Sequence, residues 1–399
     1  MWILAALLAT AFAAKPTTVE EFLAQPVEKD VEKLTGQAFV DYINEHQSFY
    51  KAEYSPDAEA FVKARIMDSK FLVTPKKEEV LMDVYGDDPP ESFDARTQWP
   101  ECRAIGTIRD QSSCGSCWAV ASASAMSDEM CVQSNSSIKL MISDTDILSC
   151  CGLECGYGCQ GGWPIEAYRW MERDGVVTGG KYRQKDVCKP YTFYPCGNHK
   201  DDPYYGPCPG YLWPTPKCRK SCQRKYKKTY QEDKHFDHRE SQMRGESGKR
   251  QTASTTAAFA LASSIHDKQL SVKIHPWINT RFCWLIAQLS NSATRSYFLP
   301  NNERSIRQEI YKNGPVVAAF KVYEDFSFYK GGIYVHKWGI QTGAHAVKVI
   351  GWGRENGTDY WLIANSWNTD WGEDGYFRIV RGTDNCEIER QMVGGIMRV

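Results

Sequence analysis

The sequence predicts an α+β fold of two lobes, one helical and one built of antiparallel strands. Helical periodicity dominates residues 90–176, whereas the chain after about residue 316 consists of short β-like runs bounded by Gly, Asn and Asp turns. A cysteine suited to act as a nucleophile, Cys117, lies at the start of one predicted helix. Because helices and strands are segregated along the chain, we expect two packed layers with a cleft where they meet.

Length and composition favour a globular protein. The chain has 399 residues, enough for more than one domain or lobe, and contains 42% hydrophobic and 24% charged residues. Its formal net charge is −1. Because the chain has no strongly basic balance to neutralise phosphates, a nucleic-acid partner is not expected.

Residues 1–14 have the composition of a secretory signal peptide. They are nearly all apolar and end in Ala11-Phe12-Ala13, a cleavage pattern of small residues. The alternative is a buried helix at the start of a cytosolic protein. No later apolar stretch approaches the ~20 residues of a membrane span. We therefore expect a protein without a membrane span that enters the secretory pathway and resides in lysosomes or outside the cell.

Residues 15–87 form a distinct N-terminal segment. It contains no cysteine and carries fifteen Asp or Glu against nine Lys or Arg, a net charge of −6. Helical spacing of apolar residues at 39–49 and 60–67 predicts two helices, and Asp87-Asp88-Pro89-Pro90 would break any helix that follows. The pattern indicates a small module before a linker; a permanent N-terminal domain is the alternative.

The 15 cysteines indicate disulfide bonds. None precedes Cys102, and a cytosolic protein rarely carries so many, which favours an oxidising compartment. The odd number leaves at least one thiol unpaired, and Cys117 is the candidate for it.

The most informative motif is Arg-Asp-Gln-Ser-Ser-Cys-Gly-Ser-Cys-Trp at residues 109–118. Gln111 precedes Cys117 by six positions, and Ser116 is placed to cap a helix that runs from Cys117 to about Met130. A thiol at the positive end of a helix dipole has a lowered pKa. A thiolate with an amide donor beside it is what attack on a peptide carbonyl requires.

A base and its orienting partner lie far along the chain. His345 follows Gly343-Ala344 at the start of one predicted strand. Asn365 ends another, where its amide oxygen can accept a hydrogen bond from the imidazole, and Trp367 would shield that bond from water. Either residue alone would be a weak candidate, but with the Cys117 motif they complete a catalytic triad.

From about residue 90 to 399, leaving out residues 237–295, the chain resembles the cathepsin B branch of the papain-family cysteine proteases. The motifs that carry the resemblance are Gln111 to Trp118, Cys150-Cys151, Gly158-Cys159-Gln160-Gly161-Gly162, Tyr311-Lys312-Asn313-Gly314-Pro315-Val316 and Asn365-Ser366-Trp367-Asn368-Thr369-Asp370-Trp371-Gly372. The resemblance implies the papain-like two-lobe fold, with a helical left lobe and an antiparallel β-barrel-like right lobe. It also implies that residues 88–399 form the peptidase domain and that residues 15–87 are an inhibitory prosegment.

The resemblance also implies the catalytic roles. Cys117 is the nucleophile, as a thiolate paired with protonated His345, and Asn365 orients the imidazole. The side-chain amide of Gln111 and the backbone N–H of Cys117 form the oxyanion hole, where losing one donor typically costs on the order of 10²–10³ in rate.

Five further residues are implied to bind substrate. Gly161 and Gly162 line the cleft where the substrate backbone pairs, and Trp367 walls the leaving-group side. Where the family has two adjacent histidines that grip a substrate's C-terminal carboxylate, this chain has Asn198 and His199, so endopeptidase activity should dominate over release of C-terminal dipeptides. Gln391 replaces an acidic residue in the second specificity pocket, which predicts a preference for apolar over arginine side chains there.

The disulfide pairing implied by the resemblance leaves Cys117, Cys283 and Cys386 free. The pairs are Cys102–Cys131, Cys114–Cys159, Cys150–Cys218, Cys151–Cys155, Cys188–Cys222 and Cys196–Cys208, and residues 188–222 would form the disulfide-rich occluding-loop region. Sequons at Asn135 and Asn356 permit glycosylation in a secretory protein. No metal site and no cofactor are expected.

Residues 237–295 fit neither lobe. His345 lies 228 residues after Cys117, beyond the ~130–150 typical of papain relatives, and this stretch together with residues 188–222 accounts for the excess. The stretch is either absent from the natural mature protein, as an unspliced intron in the gene would be, or a disordered surface loop, or a functional module. Three substitutions of family glycines are also notable, at Ser112, Ala344 and Glu387.

Three other functions compete with a protease. A dithiol oxidoreductase built on Cys114 and Cys117 leaves Gln111, His345 and Asn365 unexplained. A zinc-binding module is disfavoured because the histidines are not at zinc spacings. A catalytically inactive protease-like binding protein is the third, and the complete triad argues against it. We therefore expect a monomeric cysteine endopeptidase whose partners are protein or peptide substrates, its own prosegment and cystatin-type inhibitors.

Overall fold

A computed structural model describes residues 15–81, 87–236 and 296–399, which all belong to one compact unit. The predicted signal peptide at residues 1–14 and the stretch 237–295, with Cys283, lie outside the described residues.

The helices lie mainly in the N-terminal segment and in the first part of the domain. Those of the described residues are α1 (Val19–Ala24), α2 (Gly36–His46), α3 (Ala58–Lys63), α4 (Ala95–Gln98), α5 (Cys117–Gln133), α6 (Asp144–Cys150), α7 (Pro164–Asp174) and α8 (Glu303–Asn313). Helices α2 and α3 overlap the two stretches where the apolar spacing predicts helices, although each begins two or three residues earlier.

Helix α5 is the centre of the helical lobe. It is buried on every side from Cys117 to Val132, and α6, α7 and the sheet pack against it. Alternating alanines and serines in its first turns give it small side chains, which let these neighbours approach closely. A helix with apolar or small residues all round is a buried helix rather than a surface one.

The strands form a single open sheet. They are β1 (Tyr50–Ala52), β2 (Phe93–Asp94), β3 (Ser296–Phe298), β4 (Val316–Tyr323), β5 (Tyr329–Tyr334), β6 (Gln341–Glu355), β7 (Thr358–Ala364), β8 (Tyr376–Val380) and β9 (Met392–Gly395). Their order is β1-β5-β8-β7-β6-β4-β9-β3, with β2 also paired to β6. The pairings among these nine strands are antiparallel except that between β5 and β8, which is parallel. The predicted α+β architecture is confirmed, although His345 lies inside β6 rather than at its start.

Two buried ion pairs fix the positions of α5 and α6. Lys348 of β6 donates to Asp128 of α5 over 2.6 Å, and Arg109 donates to Asp144 of α6 over 2.9 Å. All four side chains are almost completely excluded from solvent. Because removing one partner of such a pair leaves a buried charge uncompensated, the first pair strongly constrains α5 against β6, and the second constrains α6.

The N-terminal segment, residues 15–81, packs across both lobes. Phe22, Phe39 and Ile43 are buried in the core of the sheet lobe, and Met67 and Phe71 are buried in that of the helical lobe. Strand β1 of the segment extends the sheet at β5. Each fully buried side chain of this size contributes roughly 1.5–3 kcal/mol relative to exposure, so the segment is held by an extensive apolar interface.

Disulfides connect the loops of the helical lobe. The six pairs are Cys102–Cys131, Cys114–Cys159, Cys150–Cys218, Cys151–Cys155, Cys188–Cys222 and Cys196–Cys208. Among the described cysteines, Cys117 and Cys386 are free, and both are buried.

Candidate active site

Cys117 is the first residue of α5 and faces strand β6. Its sulfur lies at the backbone N–H of Ala346, the residue after His345. Ser116 occupies the N-cap position, but the prediction that it caps the helix is wrong, because its hydroxyl makes no cap hydrogen bond. That hydroxyl is instead 2.8 Å from the phenol oxygen of Tyr191.

His345 and Asn365 are joined by a hydrogen bond. The imidazole Nε2 is 2.8 Å from Asn365 Oδ1, which fixes Nε2 as the protonated nitrogen and leaves Nδ1 as the nitrogen that can accept a proton. The Trp367 ring lies 4.6 Å from the imidazole ring, centroid to centroid, and is 1% exposed. The indole therefore excludes water from the bond.

Burial disfavours a charge on both Cys117 and His345 in this arrangement. Burial raises the pKa of the Cys117 thiol to about 12, despite the backbone N–H groups that lower it. Burial also lowers the pKa of His345 to about 4, against the opposing effect of Asn365. Because both side chains are completely covered, burial opposes the thiolate–imidazolium pair while the N-terminal segment is in place.

Gln111 already binds a peptide carbonyl. Its Nε2 donates to the backbone carbonyl of Arg65 over 2.7 Å and to that of Cys114 over 2.7 Å. The hydroxyl of Ser366 donates to Oε1 over 2.7 Å, which fixes the orientation of the amide. Because Arg65 belongs to the N-terminal segment, the donor expected in the oxyanion hole faces a carbonyl of the chain itself.

The residues after Arg65 fill the rest of the cleft. Met67 and Ala344 exchange two backbone hydrogen bonds of 2.8 Å, which places the segment directly beside His345. Phe71 packs so closely on Gly161 that a Cβ there would lie 2.3 Å from its ring. Gly162 has equally little space, since a Cβ there would meet the indole of Trp118 at 2.6 Å.

Gln391 binds the N-terminal segment at Val73, further along the chain. Its Nε2 donates to the carbonyl of Val73 over 2.6 Å, and its Oε1 accepts from the Val73 N–H over 3.3 Å. The side chain is 6% exposed, so this amide pair lies inside the interface. Gln391 therefore contacts the N-terminal segment, and its role in a specificity pocket stays a prediction.

Both ring nitrogens of His199 are engaged. Nδ1 is 2.8 Å from a carboxylate oxygen of Asp370, and Nε2 is 3.0 Å from the carbonyl of Cys196 and 3.5 Å from Asp110. The Arg65 guanidinium, itself buried, lies 3.7 and 3.6 Å from the two sulfurs of the Cys196–Cys208 disulfide. The loop 196–208 is thus packed against the cleft and the N-terminal segment.

Two residues of the site were missed by sequence analysis. Ser366 fixes the Gln111 amide, as described above, and it lies within a quoted motif whose spacing does not reveal this contact. Tyr191 donates its phenol proton to the Gln111 backbone carbonyl over 2.8 Å and also contacts Ser116. No sequence signal would have found Tyr191, because its partners are about 75–80 positions away and the contact depends on the loop's tertiary packing.

Two of the three substituted glycines retain a backbone conformation that glycine favours. Ser112 has φ of 56° and Glu387 has φ of 61°. A side chain in this region costs roughly 1–2 kcal/mol. At Ser112 the hydroxyl accepts a hydrogen bond from the Trp213 indole over 3.1 Å, which offsets part of this cost. Ala344 does not adopt such a conformation.

The remaining predicted positions are placed as follows. Asn135 and Asn356 are both exposed, each at a position with positive φ. Within the described ranges, no group of three or more His, Cys, Asp or Glu side chains is placed to hold a metal ion. No helix in these ranges is long and apolar enough to cross a membrane.

Comparison with known proteins agrees with this geometry. The sequence model of the family described as papain family cysteine protease matches residues 89–272 and 280–396, so the chain belongs to the papain family of cysteine proteases. Within that family it is a cathepsin B-like peptidase.

The relatives cover nearly the whole chain. Cathepsin B-like cysteine proteinase 5 of Caenorhabditis elegans is 39% identical, covering 99% of this chain and 98% of its own. Cathepsin B-like cysteine proteinase 1 of Haemonchus contortus is 39% identical, covering 97% and 96%. Among solved structures, procathepsin B S9 of Trypanosoma congolense has a TM-score of 0.65 and 31% identity, covering 92% of this chain and all of its own. The papain-like fold with an N-terminal prosegment is therefore confirmed.

We expect iodoacetamide to alkylate Cys117 far more slowly in the intact chain than after the linker near residue 87 is cut and the segment removed. Because the buried thiol has a raised pKa, the intact chain holds almost no thiolate at pH 7, and the rate should be lower by about 100-fold or more. The rate in the intact chain should also rise about tenfold per pH unit from 7 to 9, since only the thiolate reacts. Peptide mass spectrometry of timed samples would measure both rates.

A Cys117→Ser chain is the control for slow reaction at Cys386, the other free cysteine among the described residues. Equal alkylation rates before and after removal of the segment would contradict the conclusion that burial raises the pKa of the Cys117 thiol.

Proposed function

We propose that the protein is a secreted or lysosomal cysteine endopeptidase that acts through a Cys117 thiolate and an acyl-enzyme. The observation that carries this proposal is the Gln111 amide, which already binds a peptide carbonyl beside the nucleophile. A substrate carbonyl that took the place of the Arg65 carbonyl would accept a hydrogen bond from the Gln111 amide. The six disulfides support an oxidising secretory compartment.

Residues 15–87 are proposed to be the inhibitory prosegment. Its residues from Arg65 to Val73 occupy the cleft and hydrogen-bond Gln111, Ala344 and Gln391. Substrates and cystatin-type inhibitors would need the same space. Removing the segment would return solvent to Cys117 and His345, so that desolvation would no longer oppose their charges.

Catalysis then follows from the positions of three groups. His345 Nδ1 takes the proton of Cys117, and the thiolate forms a carbon–sulfur bond to the substrate carbonyl carbon. The oxygen of the tetrahedral intermediate is held by the amide of Gln111 and the backbone N–H of Cys117. On collapse the carbon–nitrogen bond breaks and the imidazolium gives its proton to the leaving amine.

Hydrolysis of the thioester repeats these steps with water. His345 removes a proton from the water as its oxygen bonds to the acyl carbon, and the carbon–sulfur bond breaks. The peptide acid leaves, and the sulfur again pairs with the imidazolium. Throughout, the hydrogen bond between Nε2 and Asn365 leaves Nδ1 as the nitrogen that exchanges the proton.

The endopeptidase preference is supported by the contacts of His199. With Nδ1 on Asp370 and Nε2 on the Cys196 carbonyl, neither ring N–H is free to bind a substrate's C-terminal carboxylate. Two carboxylates beside the ring would also repel such a group.

An epoxide-type active-site probe should label the processed enzyme at Cys117. A Cys117→Ser variant should show no label, and His345→Ala should slow labelling by about 10²-fold or more because the thiol loses its base. Intact-mass analysis would measure both, with Cys386→Ser as the control that keeps full labelling. Failure of a folded, processed chain to react would instead favour an inactive binding protein.

Dipeptide release from peptide C-termini should be slow compared with internal cleavage. Replacing His199 by Ala should change the ratio of the two activities by less than about threefold, because the ring nitrogens are already occupied. Mass spectrometry of the products from one peptide, with a free and with an amidated C-terminus, would measure the ratio. Efficient dipeptide release that is lost in His199→Ala would overturn the assignment.

The enzyme should cleave fluorogenic Phe-Arg substrates faster than Arg-Arg substrates, since a neutral amide at Gln391 gives arginine no charged partner. Gln391→Glu should raise kcat/KM for Arg-Arg by about tenfold, as expected for a charge-assisted hydrogen bond, and leave Phe-Arg little changed. Gln391→Met is the matched control of similar length without a charge. If the unmodified enzyme cleaves Arg-Arg substrates as fast as Phe-Arg substrates, or faster, the predicted preference for apolar side chains is wrong.

A further inference from the structure

Two of the six disulfides have one cysteine on the surface. Cys208 is exposed, while its partner Cys196 is buried. Cys218 is likewise exposed, while its partner Cys150 is half-buried. The cysteines of the other four pairs are all buried or half-buried. Because thiol–disulfide exchange begins when a thiolate attacks one of the two sulfurs, access to a sulfur decides which bonds can react.

The Cys196–Cys208 disulfide lies against a buried cation, Arg65 of the N-terminal segment. Arg65 is 2% exposed, and its Nη2 donates to the sulfur of Cys196 over 3.7 Å and to that of Cys208 over 3.6 Å. Its Nη1 donates to the Phe61 carbonyl over 2.9 Å, and its Nε has no partner among the described residues. Burial lowers the pKa of Arg65 to about 10, so the guanidinium is still charged at neutral pH.

This buried charge has no anion in direct contact with it. Within the described ranges, no carboxylate forms an ion pair with Arg65. Asp110 favours the charge from a distance, but its two oxygens accept hydrogen bonds from the Ser112 N–H over 2.6 Å and from the Asn368 amide over 3.0 Å. Disulfide sulfurs are weak acceptors, and a buried charge without a partner is costly. A thiolate at the same position would give the guanidinium the anion that it lacks.

We propose that the Cys196–Cys208 disulfide is a modification site at which a small thiol of the glutathione class exchanges with the help of Arg65. The incoming thiolate forms a bond to the Cys208 sulfur, the bond between the two cysteines breaks, and its electron pair leaves on Cys196. The guanidinium and the Ser113 hydroxyl, which is 3.6 Å from the Cys196 sulfur, stabilise the leaving thiolate. A neighbouring arginine lowers the pKa of a thiol, and a leaving thiol of lower pKa departs faster.

The product is a mixed disulfide at Cys208 with a thiolate at Cys196. Return attack by Cys196 on the Cys208 sulfur expels the small thiol and restores the original bond. Attack by a second thiol on the glutathione sulfur instead forms glutathione disulfide, so that two small thiols are oxidised and both cysteines are left as thiols. Because Arg65 belongs to the N-terminal segment, the exchange site is complete only while that segment is docked.

Timed exchange with reduced glutathione tests the proposal. The full chain carries Cys117→Ser, which prevents self-digestion, so the result does not depend on whether the protein is a working protease. Acid-quenched samples are mapped by peptide mass spectrometry without reduction, and the mixed disulfides at Cys208 and Cys218 are measured. Glutathione should accumulate on Cys208. Arg65→Met should slow this reaction by about fivefold or more, because the leaving thiolate loses its cation.

Two controls separate this effect from a general change in the chain. The rate at Cys218 should change by less than about twofold, because Arg65 does not contact that disulfide. Lys63→Met removes an exposed cation from the same segment and should change the rate at Cys208 by less than about twofold. No glutathione on Cys208 of the parent chain, or equal slowing in Arg65→Met and Lys63→Met, would overturn the proposal.

If Arg65→Met unfolds at a lower temperature than the parent chain, Arg65→Lys provides the second comparison. Both variants lose the packing of the guanidinium, but only lysine keeps a positive charge. Exchange at Cys208 should therefore be at least about threefold faster in Arg65→Lys than in Arg65→Met. Equal rates in these two variants would show that charge has no part in the reaction and would be equally contrary.

Discussion

The buried contact between helix α5 and strand β6 is the constraint on which the rest of the site depends. Cys117 begins the helix, and His345 lies on the strand, so any slip between them separates the nucleophile from its base. The ion pair of Lys348 with Asp128 crosses this contact at 2.6 Å with both groups buried. A buried charge without its partner is strongly destabilising, whereas apolar packing alone would tolerate small shifts. The pair therefore stabilises one relative position of helix and strand.

The N-terminal segment occupies the groups of the assembled site that would otherwise bind a substrate. A carbonyl of the segment accepts a hydrogen bond from the Gln111 amide, and its backbone forms a pair of hydrogen bonds with Ala344. The N–H and the carbonyl of Val73 both bind the amide of Gln391. These contacts also remove water from the thiol and the imidazole, so the same burial that blocks the cleft raises the pKa of Cys117 and lowers that of His345. The contact between the N-terminal segment and the cleft thus has two consequences: it occupies the cleft, and it disfavours charge on Cys117 and His345.

Sequence motifs predicted which residues gather at the site, but not their ionisation. Cys117, His345, Asn365 and Gln111 were found because each catalytic role restricts the residue type and its neighbours. The raised pKa of the Cys117 thiol was not predicted. It results from burial by residues about 50 positions earlier in the chain, which no local pattern encodes. Tyr191 was missed for the same reason. The parallel pairing of β5 with β8 was also missed, because a run of β-like residues does not specify its partner.

The overall charge of the chain was a poor guide to its surface. A net charge of −1 conceals an N-terminal segment of −6, and therefore a remainder, residues 88–399, of +5. Electrostatic interactions in water extend only about 8–10 Å at physiological salt, so a ligand responds to the charges near it rather than to the total. Residues 217–228, for example, contain seven Lys or Arg and no Asp or Glu, and Asp233 lies 3.7 Å from the last of these lysines. Removal of the acidic segment would therefore make the surface more positive chiefly where the segment packs, on the cleft and the sheet lobe, rather than at residues 217–228.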